Sequence, residues 1–344
     1  MSLLYFQHRL WIYTGALVFW FSVGTAFSAA MVQDLTFSGR TMGTTCFIKA
    51  QVSATVSSQT LQKEIDACLE KINVQMSTFL PDSEISRFNR MPAGTMPVSP
   101  DFYAVMKASE DLYKITHGAW DGTMYPILQL WGFFIKGKTP DVPTDTAISQ
   151  ALQNVGFHFI EIGPPHQLIK KKKDVQVDLA SIAKGYGVDQ LLQVLKQHGV
   201  QNGFVEIGGE VAAMGTRPDQ KPWQVGITYP SSKSHATEVV KTIPIYNKAV
   251  ATSGTYQNYF EKDGKRYSHI IDPRTGRPVT PRIVSVTVIA PTCTQADGLA
   301  TALLVMGVKK GMALVKQLPN ISCLILEETA PGVLKAHRTA SFPK

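Results

Sequence analysis

Between Leu10 and Gln33 the chain carries no charged side chain, and this run divides the sequence into two parts suited to different solvents. Trp11 to Phe27 is dominated by apolar and aromatic residues on every helical face, with no polar stripe, so the run is a poor amphipathic core helix. His8 and Arg9 precede it, and small residues follow at Ala26, Ser28, Ala29 and Ala30. That layout predicts a secretory signal cut after Ser28 or Ala30, or, if uncleaved, a membrane anchor through residues 10–30. The first cysteine after the run, Cys46, lies inside a strand-like segment, which argues against a lipid anchor. The expected organisation is residues 1–30 as signal or anchor and 31–344 as one exported domain, periplasmic where the cell has a periplasm.

The rest of the 344 residues has enough apolar material, 44% of the chain, to bury a full core, which excludes a disordered or fibrous protein. Four cysteines without a C-x-x-C pair argue against a zinc ribbon or a disulfide-rich scaffold, and leave open whether Cys68 pairs with Cys293 or Cys323. The net charge of +8 is small for this length, and with an exported context it argues against a nucleic-acid partner. A basic surface suits anionic lipid or an acidic acceptor instead.

Strand-like segments at Leu35–Ala50 and Gly203–Val211 alternate irregularly with helices. Leu61, Ile65, Cys68, Leu69 and Ile72 mark a helix over 58–76, and further helices are predicted over 101–116, 145–154, from about 182 to Gly199, and 295–306. Strands dominate from Gly203 to about Ile289, with turns at Lys262-Asp263-Gly264 and Asp272–Gly276. Without regular βαβ alternation the class is α+β. The run Lys170–Lys173 reads as a solvated hairpin tip.

Four constellations carry chemistry. Asp297 and Thr301, four apart at a helix start, place two oxygens on one face suited to a hard cation. Thr294 and Asp297 equally fit a capping box, which needs no ligand, and spacing alone favours the cap. Asp178 and Lys184 flank a strand-to-helix turn whose free amides suit phosphate or a metal, or simply an N-capped helix with Lys184 in solvent. His269 precedes a tight turn and shares a strand face with Ile271, where a structural histidine is the commoner outcome. Thr41–Thr44 and Ala251–Gly254 are small-residue turns that allow close backbone approach. No G-x-S-x-G or H-E-x-x-H occurs, which removes support for common hydrolases and zincins.

Taken in order, Thr41-Met42-Gly43-Thr44, Met76-Ser77-Thr78-Phe79, Gly118-Ala119-Trp120-Asp121, Trp131-Gly132-Phe133, Asp178 to Gly185, Gly208-Gly209-Glu210, Ser268 to Gly276 and Ala296 to Thr301 resemble the FAD:protein FMN transferases, the ApbE family. The resemblance covers about residues 36–330 and reverses most of the bland readings. It implies a magnesium-dependent periplasmic enzyme that splits FAD, joins FMN by a phosphoester to a Thr or Ser hydroxyl of an acceptor protein and releases AMP. It implies Mg²⁺ on Asp297, Thr301 and the Ser181 carbonyl, with FAD meeting Met42, Phe79, Ala119, Trp120, Asp121, Asp178, Lys184, His269 and Ile271. It also implies an acceptor carrying an Asp-Gly-x-Thr-like motif, of the kind found in membrane redox subunits. His269 is the candidate base, because imidazole titrates nearest neutral pH. Departures from the family pattern are Trp120 and Gly122 for Phe and Pro, Ala180 and Ser181 for Gly-type residues, and Thr255 where an acid is common. Two alternatives stay open: a metal-dependent FAD pyrophosphatase giving FMN and AMP, and a non-catalytic FAD-binding protein.

Overall fold

The computed structural model describes residues 31–343 apart from 134–138, 229–238, 257, 281 and 331, so the signal or anchor reading of residues 1–30 lies outside the described residues. The chain enters as a hairpin, β1 (Val32–Thr41) and β2 (Thr44–Ser53), turned at Met42-Gly43, both with positive φ. Helix α1 (Ser58–Met76) is capped by Ser57, whose hydroxyl accepts from Thr60 N, and buries Leu61, Ile65, Ile72 and Met76 on one side, as the periodicity predicts. A short α2 (Glu84–Arg90) follows, then β3 (Gly94–Pro97) and α3 (Pro100–Ile115), where Ser99 caps and Pro100 opens the helix. Next come α4 (Tyr125–Trp131), α5 (Asp145–Leu152), β4 (Ile160–Gly163) and β5 (Gln167–Lys170).

The second half holds α6 (Ala183–Gln197), β6 (Asn202–Ile207), β7 (Glu210–Met214), β8 (Trp223–Thr228), β9 (Val239–Ile245) and β10 (Lys248–Gly254). It continues with β11 (Tyr259–Lys262), β12 (Lys265–Ser268), β13 (Ile271–Asp272), β14 (Arg277–Pro278) and β15 (Ile283–Ala290). Helix α7 (Cys293–Val315), kinked at Gly307, and strands β16 (Ser322–Ala330) and β17 (Val333–Arg338) complete it.

Eight strands form one antiparallel sheet in the order β1-β2-β6-β7-β10-β15-β16-β17, confirming α+β. Strand β15 is buried at all eight positions because both faces of the sheet are covered. Val286, Val288 and Ala290 join the core beneath α7, while Val284 and Ile289 pack with Trp223, Val225 and Ile243 of the β8–β9 hairpin. A register shift between Ile283 and Ser285 explains why side-chain parity changes along this strand. A small sheet, β3-β5-β4, and the α4–α5 pair lie outside this frame. There Ile271 packs with Ile127, Trp131 and Phe133.

Two sequence expectations need correction. Gly203–Val211 is a hairpin rather than one strand, since Gly208 and Gly209 take positive φ and reverse the chain between β6 and β7. Lys170 is no hairpin tip: it ends β5, is 1% exposed, and its Nζ donates to the carbonyls of Phe88, Asn89 and Met91 at the C-terminal end of α2. The last long helix starts at Cys293 and reaches Met306 as expected, where Gly307, at φ 80° and ψ 168°, interrupts it before a second helical stretch runs to Val315. All four cysteines are free thiols.

Candidate active site

The N-terminal turns of α6 and α7 meet at Gly185. A Cβ there would run into the Cys293 carbonyl and stand 2.9 Å from the Asp297 Cβ, so only glycine permits this approach. The closeness is used chemically: Gly185 N donates to Asp297 Oδ2 at 3.0 Å. In a regular helix that amide would serve the Ser181 carbonyl, and among the described residues no backbone amide replaces it. One turn along α7 from Asp297, Thr301 Oγ1 lies 2.9 Å from Ser253 Oγ on β10.

Asp297 is therefore not the partner in a capping box with Thr294. The cap is Thr292, whose hydroxyl accepts from Gln295 N, and Asp189 on α6 accepts from Cys293 N and from both Thr294 N and Thr294 Oγ1. Freed from capping, Asp297 is 3% exposed beside two charges. Lys184 Nζ lies 2.5 Å from Glu210 Oε1, while the buried Glu210 Oε2 has no hydrogen-bond partner among the described residues. Burial alone would pull the Lys184 ammonium down, but Asp297 and Glu210 raise it above the usual lysine range. Burial, reinforced by the charge of Asp297, pushes Glu210 up against the pull of Lys184. Burial likewise raises Asp297, opposed by Lys184 and the Gly185 amide. Two carboxylates, Asp297 and Glu210, thus face the one ammonium of Lys184.

Trp120 is buried and donates from Nε1 to Ser181 Oγ at 3.0 Å, which pins the turn that carries the unused Ser181 carbonyl. Its neighbour Ala119 is also buried. Asp121 is buried too, and its carboxylate accepts from Thr123 N, Thr123 Oγ1 and Phe157 N, holding the loop between α3 and α4 against the segment before β4. Asp178 is half-buried and accepts from Ala180 N, and desolvation raises its carboxyl despite that bond. Met42 packs its thioether against Gly187 of α6. Phe79, by contrast, is 68% exposed, so its ring is open to a planar partner and has no core role.

His269 lies between β12 and β13, with Nδ1 2.8 Å from the Asn258 carbonyl and its backbone N bonded to the same oxygen. A carbonyl only accepts, so Nδ1 carries the hydrogen and Nε2 the lone pair. Burial lowers the imidazole below its ordinary value, and Lys184, close enough to be felt, lowers it further. Ile271 goes elsewhere, into the aromatic cluster around Trp131. The structure thus gathers Ser181, Lys184, Asp297 and Thr301 around two helix starts, with Trp120 against Ser181 and His269 near enough to feel the charge of Lys184. Asp121 and Ile271 serve the surrounding loops.

Sequence reasoning named the Gly208-Gly209-Glu210 motif but not Glu210 as the partner of Lys184, and it did not single out Asp189. A glutamate after a glycine pair is the only signal the first leaves; the second has none at 104 residues from its partner Cys293.

The donors fit magnesium. Among the described residues no three His, Cys, Asp or Glu side chains gather as a metal group. One carboxylate, one hydroxyl and an unused carbonyl are hard oxygen donors of the kind Mg²⁺ takes, completed by substrate and water.

A family model described as the ApbE family matches residues 42–325. The FAD:protein FMN transferase of Vibrio cholerae is 43% identical over 312 residues, covering 90% of this chain and 92% of the relative. That of Haemophilus influenzae is 38% identical over 331 residues, covering 93% and 95%. Among solved structures, the flavin transferase ApbE from Vibrio cholerae superposes with a TM-score of 0.82 at 40% identity, covering 91% of this chain and 99% of that one. The flavinyl transferase ApbE of Pseudomonas stutzeri, in its apo form, gives 0.81 at 35% identity, covering 90% and 96%. By its sequence and its fold, the chain belongs to the ApbE family.

Proposed function

We propose that this transferase moves FMN from FAD to a Thr or Ser hydroxyl of an acceptor protein, releasing AMP, with Mg²⁺ held by Asp297, Thr301 and the Ser181 carbonyl. The observation that carries the reading is the Gly185–Asp297 bond, which fixes a buried carboxylate beside a carbonyl that the helix leaves unused. In the reaction the acceptor oxygen bonds to the FMN phosphorus, the bond from that phosphorus to the AMP oxygen breaks, and the hydroxyl proton passes to a base. Bound at those oxygens, Mg²⁺ would neutralise charge on the phosphoryl oxygens and orient the leaving group.

The chain's own groups supply the rest. Lys184, kept protonated by Glu210 and Asp297, provides a fixed positive charge for pyrophosphate oxygens. His269 Nε2 accepts the hydroxyl proton, since Nδ1 is committed to Asn258 and the lowered basicity keeps the ring neutral near pH 7. Phe79 offers an exposed ring for flavin stacking, and Trp120 acts by holding Ser181. We place the reaction outside the cytoplasm, in the periplasm, on the strength of the uncharged Leu10–Gln33 run. The acceptor we propose is a membrane redox subunit bearing an Asp-Gly-x-Thr-like motif.

The test is mass spectrometry of an acceptor peptide with that motif, incubated with protein, FAD and Mg²⁺, beside an Asp297→Ala control. The expected result is a peptide heavier by FMN less water, with AMP, from the unsubstituted protein alone. FMN and AMP beside an unmodified peptide would replace transfer by hydrolysis, and intact FAD would leave only binding.

A further inference from the structure

We propose that Asp189 is a positioning residue that sets the metal-binding turn of α7, an inference that rests on the reading of Asp297 and Thr301 as metal ligands. Asp189 lies one turn after Gly185 on α6, so the two residues share a face. From that face α6 grips α7 twice. Gly185 N holds Asp297 Oδ2 at 3.0 Å, and Asp189 holds the first turn: Oδ1 accepts from Cys293 N at 2.8 Å, and Oδ2 accepts from Thr294 N at 2.9 Å and Thr294 Oγ1 at 2.6 Å.

The first amides of a helix have no partners within it. Here Thr292 satisfies Gln295 N, while the amides of Cys293 and Thr294 are satisfied from another helix. A carboxylate from α6 therefore does what a local cap would do, and by doing so fixes the axial position and rotation of α7 relative to α6. Asp297 and Thr301 project from the turns that follow, and the Ser181 carbonyl lies just before α6. The distance between the carbonyl donor and the two side-chain donors thus depends on the α6–α7 register, which Asp189 holds with three hydrogen bonds. Both carboxylate oxygens are needed. An amide would present its NH₂ to a backbone N–H, donor against donor, and lose one side of the grip.

The test compares Asp189→Asn and Thr294→Val with the unsubstituted protein in two readouts: Mn²⁺ binding by calorimetry without FAD, and the Mg²⁺ and FAD dependence of FMN transfer. Outer residues that orient ligands typically change metal affinity by 10–100-fold, so Asp189→Asn is expected to weaken Mn²⁺ about tenfold and raise half-saturating Mg²⁺ to match. KM for FAD at saturating Mg²⁺ is expected to stay within about twofold, since uniform substrate binding is untouched. Thr294→Val loses only the hydroxyl bond and is expected to shift metal affinity in the same direction, by less. A folded Asp189→Asn protein with unchanged Mn²⁺ affinity overturns the proposal, whatever its melting temperature does, because a purely structural role predicts that pattern. Should Asp189→Asn fail to fold, unchanged Mn²⁺ binding by Thr294→Val overturns it equally. If the unsubstituted protein transfers FMN but binds no Mn²⁺ or Mg²⁺, the metal reading fails and takes this proposal with it.

Discussion

The amide of Gly185 donates to Oδ2 of Asp297 across a gap in which a side chain at 185 has no room. Helix propensity alone would favour alanine here by about 0.8–1 kcal/mol. The clash is with the Cys293 backbone, which cannot rotate away, and overpacking of that kind costs about 1–3 kcal/mol. Gly185→Ala is therefore expected to lower the melting temperature and weaken Mn²⁺ binding together, as α6 moves off α7. Gly298→Ala is the contrast: a Cβ there meets the end of the Leu112 side chain, which can turn, so the change should be milder. Thermal melts and calorimetry of both variants check this, and equal effects would sink it.

Lys184 and Glu210 make a second prediction. Removing one partner of a buried pair leaves an uncompensated charge and costs about 3–5 kcal/mol. Lys184→Met is expected to fall in that range at pH 8, softened by the 27% exposure of the lysine side chain. Glu210→Gln should be mild, within about 1 kcal/mol, because glutamine keeps a hydrogen-bond acceptor for Lys184 and Asp297 still balances the ammonium. Chemical denaturation of the two variants distinguishes them, and a Glu210→Gln protein as unstable as Lys184→Met would contradict the assignment.

Much of this frame was legible in the sequence, and the limits have physical causes. Helix α1 has the bounds its apolar spacing predicts because Ser57 caps it and Leu61, Ile65 and Ile72 face the core. Asp297 and Thr301 were legible as a pair because helical geometry acts over four residues. Which role Asp297 plays was not legible, since its partner Gly185 is 112 residues away, and local spacing pointed to a cap that Thr292 and Asp189 supply instead. Lys170 misled for the same reason. A charge run signals solvent only when no helix end presents carbonyls to it, and α2 does so from 81 residues away.

That burial gives a third prediction. Lys170 Nζ satisfies three carbonyls in a site with 1% exposure, so Lys170→Met leaves acceptors at the end of α2 without donors. Stranding buried acceptors costs about 1–3 kcal/mol each, and partial relaxation and the methionine's own burial reduce the sum to roughly 2–4 kcal/mol. Urea denaturation is the measurement, and a loss below about 1 kcal/mol would show that water reaches those carbonyls.

His269 supplies the fourth, through pH. Burial, with Lys184 adding to it, holds the imidazole below its ordinary value of 6.5 in the folded protein. As pH falls through 6.5 the unfolded chain takes up a proton that the folded protein still refuses, so the unfolded state binds more protons and stability declines toward acid. His269→Gln removes that contribution and should flatten the decline below pH 6.5. For catalysis the sign is the same. A base must be unprotonated, so kcat/KM for FMN transfer should fall only on an acidic limb centred below 6.5. His269→Gln should lower the rate about 10²- to 10⁴-fold, the usual contribution of a positioned base, and erase that limb. A limb centred above 6.5, or one that persists in His269→Gln, would assign the proton to another group, leaving His269 to tie the β11–β12 hairpin to the site through Asn258.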